Sequence, residues 1–100
     1  MKLVRDNIPK IMQEKGKEPK IRIAGDKEYE DALIEKLKEE LKEVQEDRNI
    51  EEIADLIEVA YALANKYGAT EKEINEIRKE KIIKNGAFEK RIILEQKNAT

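Results

Sequence analysis

Between residues 27 and 47 apolar side chains recur at helical spacing. Leu33, Leu37, Leu41 and Val44 form one stripe against a background of Glu and Lys, which predicts a long amphipathic helix over 27–47. Three polar residues follow, Asp47-Arg48-Asn49, and then the pattern changes. From Ile53 to Ala64 the chain is apolar nearly all the way round, interrupted by Asp55 and Glu58. This predicts a second helix over about 50–67, with Gly68 as its C-terminal cap. A short link between two long helices makes them an antiparallel hairpin. Thr70 with Glu73 reads as a capping box that opens a third helix, running to about Asn85 and ended by Gly86. Upstream, residues 2–19 read as a short strand or loop and then one short helix, with Pro9 in its first turn and Gly16 and Pro19 closing it. Residues 20–24, KIRIA, alternate polar and apolar, which predicts a strand, and Gly25-Asp26 turns the chain. Residues 88–95, FEKRIILE, hold a second β-favouring run. Pairing of ~20–24 with ~90–95 predicts a small two-stranded sheet beside the helices. The last residues are expected to be frayed.

The expected fold is therefore mostly α, in a single helical domain over 1–100. Residues 1–26 form an N-terminal short helix and strand, 27–85 three helices, and 86–100 a C-terminal strand and tail. The second helix is apolar over more of its circumference than one hairpin covers. A homodimer, or a dimer of dimers, that buries Leu56, Val59, Ala60 and Leu63 and completes a four-helix core is the simplest remedy.

Composition narrows the chemistry. Of 100 residues 44% are charged and 4% aromatic, so any core is aliphatic. A net charge of −2 gives no bulk attraction to nucleic acid or to an anionic membrane. With no cysteine there are no disulfides and no thiolate metal sites. With no histidine the commonest general base and the usual ligand of zinc, nickel and copper are missing. A metal site here must use oxygen ligands, which suit Mg²⁺, Mn²⁺ or Ca²⁺. The opening MKLVRDNIPK is too polar for a signal peptide and no run is apolar enough to span a membrane, so the expectation is a cytoplasmic protein. Richness in Lys, Glu and Ile resembles thermophile composition.

Against that background, Asp55 raises a question. An ionised carboxylate in an apolar setting is costly unless something pairs with it. The first helix carries Glu40 and Glu43, the second Glu52 and Asp55. Each pair is spaced i, i+3 and shares a helix face. If the hairpin folds between Asp47 and Arg48, Glu43 lies level with Glu52 and Glu40 with Asp55. The two acidic rungs differ in height by roughly 4.5 Å, so the four carboxylates are placed to converge on one small volume. Four converging acids repel one another and raise their own pKa values. A divalent cation removes that repulsion, and Mg²⁺, with Mn²⁺ as an alternative, suits a site of a few carboxylates that leaves positions for water and phosphate. Taken alone, the Glu-x-x-Glu spacing says little, since 23 acidic residues in 100 give roughly five i, i+3 acidic pairs by chance. A solvated Glu/Lys face is the plain alternative for Glu40 and Glu43, and a salt bridge to Lys or Arg is the alternative for Asp55. Glu58 is expected to face solvent, and Glu39 to be exposed or to support Glu40. Lys79, Lys81, Lys84, Lys90 and Arg91 gather near the end of the third helix and just after it, and Arg5 lies near the N-terminus. Facing the acids, such cations bind polyphosphate and stabilise a leaving group. Otherwise they are ordinary surface charge.

Three stretches, Glu39-Glu40-x-x-Glu43, Glu52-x-x-Asp55 and Asn85-Gly-Ala-Phe88-Glu-Lys-Arg91, resemble the all-α NTP pyrophosphatase superfamily, which holds MazG, the dimeric dUTPases and phosphoribosyl-ATP pyrophosphohydrolase. KLVRDNIP and GAFEKRIIL look like a MazG-like subgroup of predicted house-cleaning enzymes for noncanonical nucleotides. The resemblance covers most of the chain. It implies dimers or dimers of dimers around a four-helix core, Mg²⁺ on the acidic motifs, and cleavage of a nucleoside triphosphate at the α–β phosphoanhydride to a monophosphate and pyrophosphate. It implies Glu40, Glu43, Glu52 and Asp55 as metal ligands, Glu39 as a ligand or the residue that orients the attacking water, and Arg91 as a phosphate contact. Lys81, Lys84 and Lys90 are further phosphate-binding candidates, and Glu39, Glu40 and Glu43 form the catalytic set. Two features depart from the pattern. MazG relatives often carry lysine where this chain has Ala87, and eight residues separate Glu43 from Glu52, fewer than in many relatives. Two other readings stand beside this one: phosphoribosyl-ATP hydrolysis in histidine biosynthesis, and a non-enzymatic helical dimer or interaction module.

Overall fold

The computed structural model describes residues 2–95, and among them every regular element is a helix. The helices are α1 (Ile8–Glu14), α2 (Asp26–Asp47), α3 (Ile50–Lys66) and α4 (Glu71–Asn85). Local chemistry explains the boundaries. Pro9 sits in the first turn of α1, where its missing N–H is not needed. Gly25, in extended conformation, precedes α2, whose first turn carries Asp26 and Glu28, charges that suit a helix N-terminus. Arg48 adopts a left-handed conformation (φ 49°) and its N–H donates to the Val44 carbonyl, 2.9 Å, which ends α2. Asn49 then caps α3, its side-chain oxygen accepting from the Glu52 N–H at 3.0 Å. Two residues thus reverse the chain, and α2 and α3 pack along each other as the expected antiparallel hairpin. Gly68 (φ 93°) supplies the positive φ that ends α3. At Thr70 the capping box is complete: Thr70 Oγ1 accepts from the Glu73 N–H and the Glu73 carboxylate accepts from the Thr70 N–H, both at 3.1 Å.

The expected two-stranded sheet is absent among the described residues. Residues 20–24 and 90–95 hold no strand, and the tail 96–100, read as frayed, lies outside the described residues. Alternating or branched side chains form a strand only when a partner edge satisfies the backbone and a surface covers the apolar face. Here Arg22 pairs with Glu28 of α2, so the 20–24 segment runs directly into that helix, and Ile23 stays 90% exposed. The other run leaves Phe88 98% exposed, with Ile92 and Ile93 also in solvent.

Packing is uneven. α2 and α3 share the main interface, α4 meets α3 over a much smaller one, and α1 packs closely on no other helix. Tyr61 Oη donates to Asn75 Oδ1 at 3.0 Å across the α3–α4 contact. The radius of gyration is 17.5 Å, against about 13 Å for a compact domain of this length. Among the described residues Leu33 is the sole buried apolar side chain, 2% exposed. Ile50, Ile53 and Ile57 line an exposed stripe on α3, and Ile77, Ile82 and Ile83 are exposed on α4.

Candidate metal centre

The hairpin register carries the acids to one place. Arg48 and Asn49 turn the chain so tightly that Glu40 and Glu43 on α2 face Glu52 and Asp55 on α3. One carboxylate oxygen each from Glu40, Glu52 and Asp55 lies within 4.8 Å of the other two. A second trio, Glu43, Asp47 and Glu52, meets the same limit. The four carboxylates expected in a single cluster therefore form two overlapping trios that share Glu52. Asp47 was not among the expected ligands. Its signal in the sequence was its place one turn after Glu43 on the same face.

The setting is unequal. Glu40 is 8% exposed, while Glu52 and Asp55 are half-covered and Asp47 is open to solvent. Covering a carboxylate favours its neutral form unless positive charge compensates. Glu40 has Lys36, 3.6 Å away and one turn earlier on α2. The same Lys36 and Lys2 hold Glu39, at 3.4 and 3.3 Å. The hydrogen bond from Lys2 is the main reason that Glu39 titrates below the usual carboxylate range. Asp55 receives the Arg5 guanidinium, Nη2 to Oδ1 2.7 Å. The partner of Asp55 in this fold is thus an arginine fifty positions upstream, and Asp55 is half-covered rather than deeply buried.

Among the described residues no ion pair reaches Glu52. Its pKa is raised, first by desolvation and then by the charges of Asp47, Asp55, Glu43 and Glu40. All four neighbours push in the same direction, so the cluster carries uncompensated negative charge at Glu52. An all-oxygen donor set with surplus negative charge fits a hard divalent cation, Mg²⁺ or Mn²⁺.

The other expected site residues lie elsewhere. Glu58 faces solvent, as expected. Lys81, Lys84, Lys90 and Arg91 are all exposed, and among the described residues no ion pair joins them to the acidic trios. Among the described residues the cations that do reach a trio are Arg5, on Asp55, and Lys36, on Glu40, while Lys2 reaches Glu39 beside it. Lys36 was legible from its spacing to Glu40, whereas contacts from segment 2–7 carry no local signature. Of the four apolar residues expected in a dimer core, Leu56, Val59 and Leu63 are half-buried within the chain and Ala60 is exposed. No protein-family model matches the chain, and no curated protein or solved structure matches it.

Proposed function

We propose that the protein is a Mg²⁺-dependent nucleoside triphosphate pyrophosphohydrolase, which cleaves the α–β phosphoanhydride and releases a monophosphate and pyrophosphate. The observation that carries the reading is the convergence of Glu40, Glu52 and Asp55 within 4.8 Å across a two-residue hairpin turn, with Glu52 left uncompensated. Glu40, Glu52 and Asp55 hold the ion, and Glu43 extends the set through Glu52. When bound, Mg²⁺ (or Mn²⁺) supplies charge neutralisation on phosphate oxygens and acidifies a coordinated water. Glu39, fixed by Lys2 and Lys36, orients the attacking water. Lys and Arg side chains around the site neutralise the departing pyrophosphate. The resemblance to MazG-like proteins supports house-cleaning of noncanonical nucleotides as the role, in the cytoplasm. The exposed apolar stripes of α3 and α4 support a homodimer or dimer of dimers in which a second copy completes a four-helix core. The same stripes favour the second reading, a helical interaction module without catalysis, in which the acids are only a paired surface.

Pyrophosphate release from a nucleotide panel with Mg²⁺ separates the two. The panel holds the standard triphosphates, dUTP, oxidised and deaminated nucleotides and phosphoribosyl-ATP. The pyrophosphohydrolase releases pyrophosphate only with Mg²⁺, and Asp55→Ala, still folded, loses about a hundredfold or more of that rate. No release from any member leaves the interaction module in its place.

A further inference from the structure

The cation on Asp55 comes from fifty positions away in the sequence. Arg5 comes from segment 2–7, which has no regular structure before α1. It crosses to α3 and places Nη2 at 2.7 Å from Asp55 Oδ1. The guanidinium is more than half exposed, so this pair is not a buried structural bridge whose loss would empty a core. Segment 2–7 also brings Lys2 to Glu39 at 3.3 Å. Lys2, Lys36, Lys38 and Lys42, together with Glu28, Asp31, Glu35 and Glu39, line an open hollow of about 540 Å³ between this segment and α2, so its charges are balanced and it offers no anion site by itself.

We infer that Arg5 is a displaceable counterion of the acidic site, which occupies Asp55 in competition with the divalent cation and, once displaced, binds the phosphates of the nucleotide. The inference rests on the Mg²⁺ reading of the trio given above. Its logic is electrostatic. A guanidinium on Asp55 and a divalent ion held by Glu40, Glu52 and Asp55 repel each other at close range. Asp55 contributes fully to the metal only when Arg5 leaves. A guanidinium released beside a metal-bound triphosphate meets the anion that its planar fork of donors fits best. Arg5 stands on a segment without regular structure, so its release requires no helix to unpack. Arg5 is then the phosphate contact that α4 and the segment after it, within one chain, do not provide.

The test is Mn²⁺ binding without nucleotide, followed by electron paramagnetic resonance of the free ion, for the wild type, Arg5→Gln and Arg5→Lys. Arg5→Gln removes the charge and leaves a shorter polar side chain, and circular dichroism checks that the helices persist. With the competitor gone, Arg5→Gln binds Mn²⁺ roughly two- to fivefold more tightly, the range that a solvent-accessible ion pair is worth. At saturating Mg²⁺ the same variant raises the KM for nucleotide about tenfold, as loss of a charge-assisted phosphate contact does. Arg5→Lys restores part of both values. If the wild type binds Mn²⁺ and Arg5→Gln binds it equally or less tightly, the inference is overturned and the metal reading stands. Weaker binding would make Arg5 a support that orients Asp55 toward the ion. An unchanged KM overturns the phosphate role. No Mn²⁺ binding by any of the three chains overturns the metal reading and this inference together.

Discussion

The α2–α3 hairpin and the arm that follows it both expose isoleucines, Ile50 and Ile83 among them, but only the hairpin covers any side chain fully. The hairpin covers a carboxylate, Glu40, almost as fully as its one buried leucine. The arm, α4 and residues 86–95, leaves Ile83 at 87% and Phe88 at 98% exposure. Covering acids and exposing large apolar groups both act against stability in an isolated chain. Each needs its own compensation. In the hairpin the compensation is positive charge, supplied partly by Arg5 and Lys36 and, in our account, by a divalent ion. In the arm it is surface, which in our account a second copy of the chain supplies.

The contrast predicts unequal mutational costs. Leu33→Ala, at the buried leucine of the hairpin, should remove about 2–4 kcal/mol, enough to unfold much of the population of so small a domain. Ile83→Ala, in dilute monomer, should cost less than about 0.5 kcal/mol. Urea titration measures both, and equal costs would erase the distinction between the two regions. The helix caps give a smaller and sharper comparison. Asn49→Ala and Thr70→Ala each remove a cap worth about 1 kcal/mol. Hydrogen exchange should show the first loss spread over α2 and α3, and the second confined to α4. A Thr70→Ala effect that reaches α2 would mean that the arm is part of the hairpin's cooperative unit.

The smallest effect concerns Glu52. Its folded pKa lies above the ordinary 4.5, so the folded chain holds this proton more tightly than the unfolded chain. The sign follows from linkage: stability falls as pH rises from below 4.5 through the raised folded value, and is level above it. Glu52→Gln abolishes that fall. The variant should melt at a higher temperature than the wild type at pH 7 without divalent ions, and lose the advantage in acid. Mg²⁺ at pH 7 should stabilise the wild type more than the variant. Melting curves across this pH range, with and without Mg²⁺, check the sign in both directions.

Much of the helical frame was legible in the sequence because its signals are local. Thr70 with Glu73, Gly68 and Gly86 each act through neighbours within a turn, and the helices begin and end close to where they point; the Asn49 cap is local too but was read only as part of the polar link. The approach of Glu40 to Asp55 and of Glu43 to Glu52 was legible for the same reason, since a short link leaves few registers. The sheet failed because KIRIA and RIILE carry strand propensity without information on a partner edge. Arg5 on Asp55 was not legible as a contact, because fifty residues of chain separate two exposed side chains that no periodicity relates. The exposed stripe of Ile50, Ile53 and Ile57 shows why the apolar run of α3 was hard to orient. A helix apolar all round offers several faces, and the sequence does not rank them.

The central claim is that the hairpin acids hold a divalent cation. The most direct measurement is anomalous diffraction from a crystal grown with Mn²⁺. The account predicts a strong peak between Glu40, Glu52 and Asp55, with oxygens of all three in coordinating contact. An anomalous map with no peak there, Arg5 still on Asp55 at saturating Mn²⁺, would contradict it.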